Sequence, residues 1–473
     1  MTIYPAAGAL LIIWAWLALR DGDDPMRLTI ALLPFGMFAA IDAGGLSLLA
    51  AHLIAALTLC QVSLRWFSAK GLSRTTSVPP SGIALLLFAL YAAFAATVLV
   101  RFFAGQFLIF PMAVSRAGIP VSVFFPSTMA PLAPSNSNIA QTLYILLSCL
   151  VFFCAHSMAR RRGLRFAEGA VVWAAVVNLV LSLVDLAALD TLLSVVRTAH
   201  YTLNNHHTMA GMPRVIGGFS EASGLGAFSA GLFAYFAMSY LMLRRSRDGA
   251  LAFAMLACTF LSLSSSGIVS AFAGFGFLAL HYRAWFGQGL SRAFGHWFVI
   301  LSMAALVAIA LLLLNPAITD TIGKTLDDLM FSKADSSSGL ERTAWARSGF
   351  DAFWRSNGLG VGPGSLRSNG LVAVLLGTTG LPGVLCFFAF LWLSFAHTPS
   401  AARREAQSCF LAARVSALTL LTAMLLSATT PDPTLHLTFL AGLAVAARDP
   451  QTLRQRLRPQ ELRPSMAEGG LHP

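Results

Sequence analysis

Predominantly apolar stretches of roughly 15 to 25 residues recur along almost the whole chain, and they restrict it to one class of structure. A helix needs about 20 apolar residues to cross the hydrocarbon core of a bilayer, within a range of about 17 to 25. Candidate segments lie near 6–20, 28–42, 46–66, 82–104, 138–158, 167–189, 223–243, 249–263, 267–282, 296–314, 370–396, 408–429 and 434–447. The expected fold is therefore all-α: a polytopic transmembrane helical bundle of about 12 to 14 spans. Composition agrees, with 57% hydrophobic and 11% charged residues and a mean hydropathy of +0.72. Soluble domains carry about 25% charged residues. No stretch outside the apolar segments is long enough for a separate soluble domain. Residues 1–448 read as one transmembrane domain, followed by a basic tail at 449–473.

The formal net charge is +12. Nucleic acid is excluded as a partner, because no basic run is interleaved with exposed aromatic residues. Arginine instead marks orientation, since cytoplasmic connections gather Lys and Arg. The connections holding Arg160-Arg161-Arg162, Arg244-Arg245, Arg283 with Arg292, and Arg403-Arg404 are expected on the cytoplasmic side. So is the tail, with Arg454, Arg456, Arg458 and Arg463. Successive members of this set are separated by two spans, so the parity closes with the amino terminus outside. Ala6 to Leu19 follows an uncharged start and lacks a small-residue cleavage site, so it reads as a retained span rather than a signal peptide. The cysteines (Cys60, Cys149, Cys154, Cys258, Cys386 and Cys409) all fall inside apolar segments without metal-site spacing, and read as small core residues.

The opposite side receives three long loops, near 105–137, 190–222 and 315–369. In the third, Ser338-Gly339-Leu340-Glu341 has capping-box spacing, a Ser followed three residues later by a Glu that can reach back. An amphipathic helix is expected from about Gly339 to Trp354. On a helical wheel Arg342 shares a side with Trp345, Ala346, Gly349, Phe350 and Phe353. Arg342 thus projects from the face expected to dock on the bundle, where a cation requires an anion.

Arg214 lies in Pro213-Arg214-Val215-Ile216-Gly217-Gly218-Phe219-Ser220-Glu221, just before a span. It reads either as an interfacial arginine reaching the headgroups or as an anion-binding group at a cavity mouth. Glu221 is its candidate partner, or a base. Arg367 follows Gly360-Val361-Gly362-Pro363-Gly364, whose alternate glycines permit close backbone approach to a ligand or to a neighbouring helix. The run lacks the Gly-Lys-Ser/Thr ending of a P-loop. His200, His206 and His207 share the second long loop without a further ligand at zinc-site spacing. The Asp327-Asp328 pair reads as helix surface. Ser264-Ser265-Ser266-Gly267 suits a tight turn or a broken helix lining a cavity.

Four ordered segments together resemble the O-antigen polymerase and ligase superfamily. They are Arg214–Glu221, the serine-rich run Leu261–Gly267, Glu341-Arg342-Thr343-Ala344-Trp345, and Gly360-Val361-Gly362-Pro363-Gly364 followed by Gly380-Leu381-Pro382-Gly383. The resemblance covers roughly residues 200–400. It implies a metal-independent glycosyltransferase, without a cofactor, in a bacterial inner membrane with its active face periplasmic. The donor it implies is a glycan on undecaprenyl diphosphate; the other partners are a glycan acceptor, membrane lipid and, for a polymerase, a chain-length regulator.

In that reading Arg214 and Arg342 hold the diphosphate. Arg suits the task because its planar fork engages two phosphate oxygens and stays protonated. Arg367 is a weaker third cation. His207 and Asn369 join it as substrate-binding candidates, and Glu221 or His207 are candidates for the base. One departure separates the alternatives. Ligases of the superfamily carry a His, usually followed by Asn, after the large-loop helix, and here that region reads Arg367-Ser368-Asn369-Gly370. The expected activity is therefore polymerisation of lipid-linked repeat units for O-antigen or exopolysaccharide. Transfer of the glycan to lipid A core or protein is the alternative within the enzyme class. A lipid-linked-oligosaccharide flippase is the alternative outside it, set against by the placement of the arginines in loops rather than within spans.

Overall fold

The computed structural model describes residues 2–20, 22–43, 46–68, 78–112, 115–116, 119–199, 208–209, 212–286, 337–398 and 404–449. The described chain is mostly helical. In order the helices are α1 (Pro5–Arg20), α2 (Asp24–Ala31), α3 (Ala50–Ser68), α4 (Pro80–Phe102), α5 (Asn136–Arg162), α6 (Leu164–Leu186), the short α7 (Asp190–Ser194), α8 (Ala222–Leu243), α9 (Ser246–Leu261), α10 (Ser265–Phe286), α11 (Ser337–Arg355), α12 (Leu371–Phe395), α13 (Arg404–Ser427) and α14 (Leu435–Arg448). Among the described residues six helices, α4, α5, α6, α8, α12 and α13, are long and apolar enough to cross a membrane. Shorter apolar helices lie at Pro5–Arg20, Ala50–Leu64, Ser265–His281 and Leu435–Arg448. The protein is a multi-pass membrane protein by helix length and hydropathy. The expected span at 296–314 and the front of the third loop lie outside the described residues.

Two expected spans begin differently. The segment 28–42 is not a continuous helix: α2 ends at Ala31, turns follow, and Ala39–Ala43 forms a strand. Pro34 removes a backbone donor and disfavours a helical continuation. Its carbonyl lies where a side chain on Gly218 would be, and Gly36 packs on the Phe219 ring. The next segment also starts extended, as strand Leu46–Leu49 paired antiparallel with Ala39–Ala43, before α3 begins at Ala50. Asp42 fastens this hairpin by accepting the Tyr4 hydroxyl at 2.9 Å and the Ser47 hydroxyl.

The helices run between two ends of different chemistry. At one end the arginine-rich connections meet and pair with acids. Arg160 bonds Asp449 at 3.0 Å, Arg161 bonds Asp23 at 2.6 Å, and Arg165 reaches Glu405. Arg245 lies 3.9 Å from both Glu168 and Glu405. The connections following α1, α5, α8, α12 and α14 therefore converge; the connection holding Arg292 lies outside the described residues. At the other end lie the Asp42 hairpin, the described parts of the three long loops, the serine turn between α9 and α10, and the α13–α14 connection.

The α8 helix is central and the most buried of the long spans, with Leu225, Ala230, Leu232, Ala234 and Met238 fully enclosed. Small residues let its neighbours approach: Gly226 packs against Gly267 at the start of α10, and Gly231 against Leu420 of α13. Large apolar side chains on the outer helices remain exposed, among them Leu87, Leu90, Trp173, Leu385 and Trp392. That distribution suits a surface facing lipid.

The glycine run is used for backbone packing. The α12 helix breaks at Gly380, whose φ is 60° and ψ is −166°, two residues before Pro382. The groups freed by the break are recovered by the loop after α11. Val361 N–H donates to Gly377 O at 3.0 Å, Gly362 N–H to Thr378 O at 2.8 Å, and Leu381 N–H to Gly358 O at 2.8 Å. On its other side the loop meets α4 where that helix widens into a π segment over Ala95–Leu99. A Cβ on Gly362 would sit 2.7 Å from the Ala95 carbonyl, and one on Gly364 would strike Ser137 O. Of the two roles open to these glycines in the sequence, approach to neighbouring helices is the one observed.

Candidate functional site

The α11 helix starts at Ser337 and ends at Arg355, within two residues of expectation. Its docking face is built on Gly349 and Ala352, both buried, with Gly349 against Gly377 and Ala373 of α12. Trp345 and Arg342 lie on this face one and two turns nearer the amino end. Phe350, expected on it, is instead 40% exposed; it stands one position round the wheel from Gly349. The Ser338 side chain of the expected capping box lies outside the described residues; the Glu341 carboxylate accepts the hydroxyl of Ser122 in the first long loop. That contact ties the start of α11 to another loop.

Arg214 approaches from the second loop. Val215 N–H donates to Leu261 O at 3.2 Å, and Arg214 Nε–H donates to Ser262 O at 3.3 Å. The serine-rich turn thus acts as a seat for Arg214, and the Ser264 and Ser266 hydroxyls bond each other at 3.1 Å within it. Burial pulls the Arg214 guanidinium below its usual pKa; Glu221 opposes that shift and Arg342 adds to it. Two arginines far apart in sequence therefore stand within electrostatic reach of each other, with Glu221 beside them. Among the described residues Arg342 has no hydrogen bond or ion pair. Glu221 is exposed, starts α8, and accepts the Ser223 hydroxyl at 3.0 Å.

Arg367 extends the group through Trp345. Its guanidinium lies 5.1 Å from the centre of the Trp345 ring, and it donates to the carbonyls of Val121 and Met112, each at 3.4 Å. Burial lowers its pKa and Glu341 raises it. Arg367 is thus more firmly held by protein groups than Arg342. The Asn369 amide donates to Leu426 O at 3.2 Å, and Gly370 N–H donates to Ala428 O at 2.8 Å, which anchors the start of α12 to the end of α13. His207 lies outside the described residues.

Several polar residues that shape this end were not singled out from the sequence. Asp185 at the end of α6 and Arg197 after α7 form an ion pair at 2.6 Å beneath the Arg214 segment. Trp345 carries a buried indole N–H with no hydrogen-bond partner among the described residues. Asp432, in the α13–α14 connection, is 8% exposed and accepts the Thr434 amide at 3.1 Å. Burial pushes its carboxyl up to about 6. An acid between two prolines was the available signal for Asp432. Asp185 and Arg197 offered none, since nothing local joins a helix end to a loop twelve residues on.

Chemically, the arrangement offers two arginines on separately anchored segments within electrostatic reach of each other, with an exposed carboxylate in reach of Arg214. Like charges brought together in a partly desolvated place are stabilised by an anion carrying several oxygen acceptors. No protein-family model matches this chain, and no curated protein matches it.

Proposed function

We propose that the protein is a polymerase of undecaprenyl-diphosphate-linked oligosaccharide repeat units, acting at the periplasmic face of a bacterial inner membrane. The observation that carries the reading is the meeting of Arg214 and Arg342, from two loops, with Arg342 unpaired among the described residues. A diphosphate fits this pair by charge and by oxygen count. The acceptor hydroxyl attacks the anomeric carbon of the donor glycan and gives up its proton, while the bond from that carbon to the diphosphate breaks. Lipid diphosphate leaves with the electron pair. Arg214 and Arg342 stabilise the charge that develops on the leaving oxygen, a preorganised electrostatic contribution of the kind that often dominates catalysis. Glu221 is the candidate to receive the hydroxyl proton, being exposed beside the pair. The run Arg367-Ser368-Asn369-Gly370, which lacks a His, favours polymerase over ligase.

The test is deletion of the gene followed by analysis of the surface glycan, then complementation. The reading predicts single repeat units on the surface in the deletion strain, and long polymer restored by wild type but not by Arg342→Ala. Full-length polymer retained on the lipid carrier would instead identify a ligase. Repeat units trapped inside the cell would identify a flippase.

A further inference from the structure

The turn that delivers Arg214 is held by a single ion pair from elsewhere in the chain. Asp185 Oδ2 accepts the amides of Ile216 at 2.7 Å and Gly217 at 2.9 Å. Its Oδ1 accepts Arg197 Nη2 at 2.6 Å. Arg197 closes the circuit by donating to Gly217 O from Nε at 3.0 Å and from Nη2 at 2.5 Å. The two side chains are only 11% and 15% exposed. Between them they bind the peptide groups on both sides of Gly217, whose φ of +58° places it in the left-handed region. The turn closes with Phe219 N–H on Ile216 O at 3.0 Å, and Gly218 O accepts Met37 N–H at 2.9 Å.

Arg214 lies two residues from this clamp. The backbone directly after Arg214 is therefore fixed at Val215 by Leu261 and at Ile216 and Gly217 by Asp185 and Arg197. The pair is poorly explained as general glue. An ion pair used only to join α6 to the loop needs no contact with two successive amides and one carbonyl of the Arg214 segment. A buried carboxylate accepting backbone N–H groups sets the position of that backbone, and its loss leaves those donors unpaired.

We propose that Asp185 and Arg197 are positioning residues for the diphosphate site, holding the turn at 216–219 so that Arg214 faces Arg342. The inference rests on the reading of Arg214 as a diphosphate ligand. It also makes a prediction that a simple ion pair does not. Exchanging the charges in the double variant D185R/R197D restores opposite charges but leaves the Ile216 and Gly217 amides without their acceptor. The exchange therefore does not restore function.

The experiment is equilibrium binding of undecaprenyl diphosphate to the full-length protein in lipid nanodiscs. Arg197→Lys keeps the charge but cannot make the forked contact with Gly217 O and Asp185; it serves where Asp185→Asn gives too little folded protein. Expected are at least tenfold weaker binding for R214A, about tenfold weaker for D185N, a smaller loss for R197K, and no recovery in the exchanged pair. The combination R214A/D185N binds no more weakly than R214A alone, because Asp185 acts through Arg214. If R214A is weakened while D185N and R197K bind like wild type, or if the losses in the combination multiply, or if the exchange restores binding, the positioning role is overturned and the diphosphate reading stands. If R214A binds like wild type, the diphosphate reading falls and the positioning role falls with it.

Discussion

The two ends of the bundle hold their arginines differently, although each contains an ion pair, Arg197 with Asp185 at the second. At the arginine-rich end the guanidinium groups described in ion pairs face carboxylates: Arg160 with Asp449, Arg161 with Asp23, Arg165 with Glu405. At the other end Arg214 sits on a carbonyl, with Glu221 and Arg342 in electrostatic reach, and Arg342 has no ion pair among the described residues. The first pattern is neutralised within the protein and suits orientation in the membrane. In the second, Arg214 and Arg342 are in no ion pair among the described residues. What distinguishes a candidate site here is the state of the arginines' partners, not their number.

The largest expected effect breaks this contrast directly. Arg342→Ala lowers chain extension by at least about a hundredfold in a glycan-length assay, the range seen when one preorganised charge-stabilising group is removed. Arg342→Lys keeps the charge but loses the planar fork, and loses about tenfold. A polymer of wild-type length in either variant, at normal expression, would make Arg342 structural.

The next effect concerns architecture. Gly362→Ala places a Cβ 2.7 Å from the Ala95 carbonyl at a φ of +92°, so it lowers the yield of folded protein and the thermal midpoint. Gly276→Ala in α10 meets nothing within 4 Å and leaves both near wild type. Equal midpoints for the two variants would contradict the packing role of the glycine loop.

Asp432 provides a pH-dependent case. Its carboxyl is raised to about 6 in the folded protein, against about 3.9 in an unfolded chain. Folding therefore favours the protonated acid, and the cost of ionising it grows as pH rises from about 4 to about 6, then stays constant. Asp432→Asn should raise the thermal midpoint by a few degrees at pH 7.5 and leave it unchanged near pH 4. A gain confined to acidic pH would reverse the sign and refute the assignment. The smallest effect belongs to the arginine-rich end. Arg165→Ala breaks a half-exposed ion pair, worth about 0 to 1 kcal/mol, and chain extension should stay within about twofold of wild type.

Much of the fold was legible because hydrophobic length is a local property. The spans at 82–104, 138–158, 167–189, 223–243, 370–396 and 408–429 each coincide with a long apolar helix, and α11 appears where its apolar stripe placed it. The segment 28–42 failed because hydropathy counts side chains, whereas Pro34 and the close packing of Gly36 and Gly218 decide the backbone. The site was legible only in part. Arg214, Arg342 and Glu221 could be named as candidates from their sequence context, and in the structure Glu221 and Arg342 lie within electrostatic reach of Arg214. The contacts that hold them come from Leu261, Ser262, Ser122, Asp185 and Arg197, distant in sequence and joined only by the packing of the helices. Glu341 shows the same limit: its spacing suggested a local cap, and nothing in it pointed to the contact with Ser122.

The central claim is that the end where Arg214 and Arg342 lie, and not the arginine-rich end, binds the lipid diphosphate. The most direct measurement is the affinity of full-length protein in nanodiscs for undecaprenyl diphosphate, compared among wild type, Arg342→Ala and Arg165→Ala. The account predicts at least tenfold weaker binding for Arg342→Ala and unchanged binding for Arg165→Ala. Unchanged binding in Arg342→Ala, or a loss confined to Arg165→Ala, would contradict it.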